Sequence, residues 1–144
     1  MKIEEILKEK GVCVFCVSLE ASVAEAIKKL NEHNIGSLVV LDEKTEICGI
    51  LTERDILRNF KKCAHDKPKV KEVMTKNPII GFTGDDVDKA MKIMTNNRIR
   101  HLPIMEDRKL VGIISIGDLL KSMHDHQEVE IRYLTNYISG SYMS

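Results

Sequence analysis

A hydroxyl residue precedes an aspartate by three positions at two places in this chain of 144 residues. The pairs are Thr52 and Asp55 in GILTERDIL, and Ser115 and Asp118 in GIISIGDLL. Such a hydroxyl can cap a helix by accepting a hydrogen bond from first-turn amides. The carboxylate can in turn accept a hydrogen bond from the backbone amide of the hydroxyl residue. The same residues could instead bind a nucleoside phosphate, with amides and hydroxyl on the phosphate and the carboxylate accepting from the ribose diol.

The segments around both pairs form an internal repeat, which has to be recognised before the fold can be predicted. Residues 22–27 (SVAEAI) align with residues 86–91 (DVDKAM) at an offset of 64. Asp55 aligns with Asp118 at an offset of 63, so the polar turn near residues 42–46 differs by one residue. The chain therefore contains two copies of one unit.

Each copy alternates between a helical and a strand period. Val23, Ala26 and Leu30 mark one face of a helix, and SLVVL and ICGIL are typical of strands joined by a polar turn. The pattern predicts an α/β protein of two tandem β-α-β-β-α repeats that pack through their sheets, because one unit cannot bury its apolar face alone. We place the first repeat, with an N-terminal helix, at residues 1–65 and the second, with a C-terminal helical tail, at residues 66–144.

The charge balance argues against nucleic acid as a partner. Lysine and arginine number 22 and aspartate and glutamate number 22, whereas proteins that bind a duplex usually carry a basic surplus. The N-terminal segment MKIEEILKEKG is charged and amphipathic rather than typical of a signal peptide, and no apolar run approaches the ~20 residues of a membrane span. We therefore expect a cytoplasmic protein without a membrane partner.

Two long segments resemble those of a known family. SVAEAIKKLNEHNIGSLVVLD with ICGILTERDIL, and DDVDKAMKIMTNNRIRHLPIMEDRKLVGIISIGDLLKSM, resemble a tandem pair of cystathionine-β-synthase (CBS) domains of the short free-standing type, a Bateman module. The second copy is the closer match, with Pro103 where the first has Val39. The resemblance implies a homodimeric regulatory module that binds an adenine nucleotide (AMP, ADP or ATP, with NAD(H) or S-adenosylmethionine as alternatives). It implies no catalytic cofactor and leaves a protein partner unidentified.

The resemblance also implies two clefts between the repeats, in which apolar residues hold adenine and an aspartate holds the ribose. The first cleft would contain Thr52, Asp55, Ile79, Ile80, Ile99, Arg100 and His101. The second would contain Ser115, Asp118, Val14, Phe15, Ile35, Gly36 and Ser37. Because Gly36 and Ser37 align with Arg100 and His101, we expect phosphate-binding side chains only in the first cleft. Arg54, beside Glu53, is expected to be a surface charge.

Two other functions remain open from the sequence. One is a dimeric scaffold that has lost its ligand, and the other is a thiol-redox or metal-binding protein that acts through CVFC at residues 13–16. The repeat places Cys13 and Cys16 in the first strand, where positions three apart point to opposite faces, so a structural role is favoured. We recognise no catalytic constellation in the sequence and expect that the protein is not an enzyme.

Overall fold

The computed structural model describes residues 1–11 and 14–139. Its helices are α1 (Ile3–Lys10), α2 (Val23–His33), α3 (Glu53–Arg58), α4 (Phe60–His65), α5 (Val70–Val73), α6 (Val87–Asn96) and α7 (Ile116–Ser139). Its strands are β1 (Cys16–Ser18), β2 (Ser37–Leu41), β3 (Ile47–Thr52), β4 (Thr75–Lys76), β5 (Gly81–Phe82), β6 (His101–Glu106) and β7 (Lys109–Ser115).

The strands form two sheets that repeat the same topology. The first sheet has the order β1-β2-β3-β4 and the second the order β5-β6-β7. The first strand of each repeat pairs in parallel with the next, and the pairs β2–β3 and β6–β7 are antiparallel. The elements β1-α2-β2-β3-α3 and β5-α6-β6-β7-α7 are therefore the two predicted β-α-β-β-α units, and the predicted fold class is confirmed.

Each repeat gives its first short helix to the core of the other. Helix α1 packs against residues of α6 and β6 in the core of the second repeat, where it buries Ile3, Ile6 and Leu7. Val70 and Val73 of α5 are buried in the core of the first repeat. The boundary between residues 65 and 66 stays a prediction about the repeated sequence, since the packing crosses it in both directions.

The glycine that opens each repeated stretch makes room for the exchanged segment. A Cβ on Gly49 would lie 2.7 Å from Sδ of Met74 and 2.8 Å from the carbonyl oxygen of Thr75. A Cβ on Gly112 would lie 2.5 Å from Cδ2 of Leu7. Both distances are below van der Waals contact. The backbone oxygen at Gly49 cannot move aside easily, so glycine is required there for close packing between the repeats, whereas the Leu7 side chain at Gly112 can shift.

The last helix is much longer than its counterpart in the first repeat, and its outer part is exposed. Leu120, Ile131, Leu134 and Ile138 leave half or more of their surface in solvent, and their spacing places them on one side of α7. Within residues 1–11 and 14–139, no helix has the length and apolar character that crossing a bilayer requires. The expected cytoplasmic location stays a prediction.

Candidate functional site

Both hydroxyl–aspartate pairs form the capping arrangement that their spacing predicts. Thr52 Oγ1 accepts from the amide of Asp55 at 3.2 Å, and Asp55 Oδ2 accepts from the amide of Thr52 at 3.0 Å. Ser115 Oγ accepts from the amide of Asp118 at 3.0 Å, and Asp118 Oδ2 accepts from the amide of Ser115 at 2.8 Å. The four residues therefore fix where α3 and α7 begin, whatever else they do.

The first-turn amides are less available to an anion than the sequence predicts. The first amide of α3, from Glu53, donates to the carbonyl oxygen of Gly36 at 3.1 Å. The first amide of α7, from Ile116, donates at 2.9 Å to the carbonyl oxygen of Arg100, the residue equivalent to Gly36. Since the third amide of each helix is used by the cap, a phosphate would depend mainly on side chains.

The first predicted cleft is present as a cavity of about 220 Å³ between the repeats. Thr52, Asp55, Ile99, Arg100 and His101 line it, as the resemblance implies. The cavity wall also contains Gly36, Ile50, Glu53, Arg54, Arg58, Thr75 and Arg98. Ile79 and Ile80 are not part of this wall: the chain pairs with the first sheet through β4 at residues 75–76, so Thr75 approaches the cavity instead.

Asp55 can still accept a hydrogen bond from a ligand in this cavity. Its Oδ2 accepts from the amide and the hydroxyl of Thr52, at 3.0 and 3.1 Å. Its Oδ1 accepts from the hydroxyl of Thr75 at 3.0 Å. A carboxylate has about four acceptor positions, so one remains on Oδ1, and the hydroxyl of Thr75 can rotate to serve a second ligand hydroxyl.

Positive charge is concentrated at the mouth of this cavity. The chain has six arginines, and four of them line this one cavity: Arg54, Arg58, Arg98 and Arg100. Only two carboxylates, of Glu53 and Asp55, line it with them. Among the described residues, none of these arginines forms an ion pair within 4.0 Å. Arg54 is exposed, as expected for a surface charge, and it also lines this cavity together with Glu53.

Arg98 has a backbone conformation that arginine seldom adopts. Its φ is 54°, in the left-handed region, and the equivalent residue of the first repeat is Asn34, with φ 53°. Asparagine tolerates this region well, whereas a long side chain there is uncommon. The second repeat therefore holds an arginine beside the cavity at a position where the first repeat has a better-suited residue.

His101 is half-buried between the two predicted clefts. Burial lowers the pKa of its imidazole below the ordinary 6.5, and the charges of Lys10 and Arg100 act in the same direction against the acids Glu53 and Asp118. At neutral pH the ring is therefore uncharged and offers one N–H donor. The positive charge at the first cavity comes from the arginines.

The second predicted cleft is a separate cavity of about 210 Å³. Val14, Phe15, Ile35, Gly36, Ser37 and Ser115 line it, together with Lys10, His101 and Ile113. Asp118 does not, because the ammonium of Lys10 lies against its carboxylate with Nζ 2.7 Å from Oδ2. His101 lines both cavities and Lys10 lines the second, whereas Arg100 lines only the first. The expectation that phosphate-binding side chains belong to the first cleft alone stays a prediction.

Cys16 begins strand β1, whereas Cys13 lies outside the described residues. Burial raises the pKa of the Cys16 thiol above its ordinary value, which keeps it protonated and weakly nucleophilic. The described residues contain no group of three or more histidine, cysteine or acidic side chains placed to hold a metal ion. Nothing described here favours thiol or metal chemistry.

Sequence comparison and structural comparison agree on the family. A family model of the CBS domain matches residues 4–62 and again residues 70–125, so the chain belongs to the CBS domain family as a tandem pair. It is 37% identical over 152 residues to a mitochondrial CBS domain-containing protein of Arabidopsis thaliana, across 97% of this chain and 73% of that protein.

Two solved structures are similar to this chain. A CBS-domain containing protein from Agrobacterium tumefaciens, 36% identical, superposes with a TM-score of 0.80 over 85% of this chain and 92% of that one. A CBS domain pair solved in complex with 5′-methylthioadenosine and S-adenosyl-L-methionine is 28% identical, with a TM-score of 0.72 over 88% of this chain and 98% of that one. The resemblance predicted from the repeated segments is confirmed.

Several side chains of the two sites were not anticipated from the sequence, among them Arg58, Arg98, Thr75 and Lys10. Arg58 follows Arg54 by four positions on α3, a spacing that puts both on one face and could have drawn attention to it. Arg98 could have been noticed as the counterpart of Asn34. Thr75 and Lys10 reach their sites through contacts between repeats, for which the sequence offers no local signal.

Proposed function

We propose that this protein is a regulatory module that binds an adenine nucleotide in the first cavity. The observation that carries the proposal is the combination in one cavity of a carboxylate with a remaining acceptor position, Asp55, and four arginines without ion-pair partners among the described residues. The carboxylate fits the ribose hydroxyls, and the guanidinium groups fit phosphate oxygens, which they can bind through paired hydrogen bonds.

The size of the cavity fits a ligand whose charged end extends outwards. Its volume of about 220 Å³ is below the ~300 Å³ at which pockets for small molecules usually begin. The arginine side chains are exposed at its mouth, while Ile50 and Ile99 provide apolar surface deeper in the wall. A nucleoside would therefore occupy the cavity and its phosphates would reach the arginines.

The charge at the mouth favours some adenosine compounds over others. A CBS domain pair similar to this chain was solved with 5′-methylthioadenosine and S-adenosyl-L-methionine. The first is uncharged and gains nothing from four arginines. The second offers them one carboxylate but carries a sulfonium and an ammonium that they repel, and its net charge is positive. For this chain we therefore propose AMP, ADP, ATP or NAD(H), all of which offer phosphate to the guanidinium groups.

The role that follows is regulatory rather than catalytic. The cavity is built from α3 of the first repeat and from β4 and the segment before β6 of the second, so a bound nucleotide favours one arrangement of the repeats. That preference can be passed to a second copy or to another protein, because a ligand shifts an equilibrium by its difference in affinity for the two states. A homodimer remains part of this proposal.

Calorimetric titration of adenosine and AMP into wild type, Asp55→Ala, Arg100→Ala and Arg108→Ala tests the proposal. Asp55→Ala should weaken both ligands, because it removes the acceptor for ribose. Arg100→Ala should weaken AMP roughly tenfold or more and leave adenosine nearly unchanged, since each ~1.4 kcal/mol is a factor of ten. Arg108, an exposed arginine in the β6–β7 turn, is the matched control and should change neither affinity.

Two results would contradict the proposal in different ways. Absence of binding for AMP, ATP and NADH in wild type would favour the dimeric scaffold without a ligand. Equal losses for adenosine and AMP in Arg100→Ala would show that this arginine does not contact the phosphate.

A further inference from the structure

Lys10, the last residue of α1, separates the second cavity from the aspartate of its own cleft. Its Nζ lies 2.7 Å from Asp118 Oδ2 and donates to the carbonyl oxygen of Ile113, also at 2.7 Å. Lys10 lines the second cavity and also an adjoining one, whereas Asp118 lines only the adjoining one. The ammonium thus stands where a ligand in the second cavity would have to reach the carboxylate.

The two clefts differ in which group of the opposite repeat contacts the aspartate. At Asp55 the group is the hydroxyl of Thr75, at 3.0 Å from Oδ1. At Asp118 it is the ammonium of Lys10. A hydroxyl can rotate away and be replaced by a ligand hydroxyl with little change in charge. Neutral ribose hydroxyls cannot replace an ammonium in the same way, because they leave the carboxylate without its counter-charge.

The ion pair of Lys10 is partly shielded and well anchored. The side chains of Lys10 and Asp118 keep 37% and 26% of their surface exposed. In the other ion pairs of the described residues every side chain is more exposed than these two, except that of Asp85 beside Lys89. Burial alone raises the pKa of Asp118, yet the ammonium of Lys10 and the hydrogen bonds from Ser115 outweigh it and lower that pKa. Since Ile3 and Leu7 fix α1 in the core, the backbone of Lys10 is placed beside Asp118 independently of any ligand.

We propose that Lys10 determines the specificity of the second cleft: its ammonium stands between the second cavity and Asp118, which does not line that cavity, and so keeps a bound nucleoside from the carboxylate. Each chain then binds one nucleotide, in the first cleft. The identity of the ligand rests on the function proposed above. The inference adds that an apparently complete second cleft is closed by a residue of this same chain.

The test is the number of sites per chain in calorimetric titrations of AMP and adenosine into wild type, Lys10→Met, Lys10→Arg and Lys8→Met. Lys10→Met retains the aliphatic stem and removes the charge, and we expect it to bind two nucleotides where wild type binds one. The second site should come within about tenfold of the first in its affinity for adenosine. It should hardly distinguish AMP from adenosine, because no arginine lines the second cavity.

The controls separate the charge of Lys10 from its packing. Lys10→Arg keeps a cation beside Asp118, and Lys8→Met removes an exposed charge from the same helix, so both should keep one site. Adding Asp118→Ala to Lys10→Met should abolish the new site. If Lys10→Met does not fold, Lys10→Gln tests the same point, because it removes the charge and can still donate to Ile113.

Each outcome distinguishes this inference from the proposed function. One site in both wild type and Lys10→Met would overturn the inference and leave the proposed function intact. Two sites in wild type, one of them lost in Lys10→Met, would show that Lys10 binds phosphate instead. No binding in wild type would contradict the proposed function, and the inference would then stand only if Lys10→Met gained a site.

Discussion

Arg98 and Asn34 occupy equivalent positions of the two repeats with the same left-handed backbone, at φ values of 54° and 53°. The first repeat has a residue suited to this conformation, and the second has an arginine that lines the first cavity. A left-handed conformation disfavours long side chains, so the arginine is held there against local preference.

Arg98→Asn should therefore separate binding from stability. The free energy of unfolding should be unchanged or slightly higher, because asparagine suits the backbone better. Affinity for AMP should fall about fivefold, as expected for an exposed charge contact of ~1 kcal/mol, while adenosine is unaffected. Arg108→Asn is the matched control, since Arg108 also has a left-handed backbone, with φ 66°, but lies outside the cavity. Equal effects of both changes on AMP would contradict a specific role for Arg98.

The two repeat glycines should differ in their tolerance of a methyl group. Gly49→Ala places Cβ 2.8 Å from a backbone atom, the carbonyl oxygen of Thr75, and should destabilise the protein by ~1–3 kcal/mol. Gly112→Ala meets only the end of the Leu7 side chain, which can move, so its cost should be smaller. Gly84→Ala, with nothing within 4 Å of the added Cβ, is the control. Urea denaturation measures the free energy of unfolding of all three variants, provided that its dependence on urea concentration is the same in each. A larger loss of stability in Gly112→Ala than in Gly49→Ala would contradict this packing.

His101 should make stability depend on pH. Because burial first of all lowers its pKa below 6.5, the unfolded chain binds a proton more readily than the folded one. The free energy of unfolding should therefore fall as the pH is lowered through and below 6.5. Denaturation between about pH 5.5 and pH 8 measures how the free energy of unfolding depends on pH. Asp118, whose pKa is lowered, titrates below this pH range. His101→Gln should reduce this pH dependence, and His65→Gln, at an exposed histidine, should not. If the pH dependence is unchanged in His101→Gln, other groups cause it.

The exposed apolar side of α7 should join two copies of the chain. Leu120, Ile131, Leu134 and Ile138 lie on one side of this helix with at least half of their surface exposed. We expect a homodimer that buries at least ~1,000 Å² in total, the usual lower limit for a specific interface. Leu134→Lys should shift sedimentation equilibrium towards the monomer. Val129→Lys, at an exposed apolar residue on the opposite side of the helix, should not. A monomeric wild type at micromolar protein, with and without AMP, would contradict this expectation.

What the sequence alone determined is local or repeated. The helical period of Val23, Ala26 and Leu30 predicts α2, and the spacing of Thr52 and Asp55 predicts the start of α3. These features depend on hydrogen bonds and burial within one unit, which residue spacing records directly. Repetition of the pattern then indicated the two units, and five of the seven residues that the family resemblance implied for the first cleft line its cavity.

Only the tertiary structure decided how the two units differ. The exchange of α1 and α5 brings Lys10 to Asp118 and Thr75 to Asp55, over separations of 108 and 20 residues. The same packing gathers arginines from α3 and from the segment before β6 around one cavity. A repeat alignment compares equivalent positions and so favours two similar clefts, whereas the charge in each cleft is set by residues from the opposite repeat, whose approach depends on how the two cores pack together.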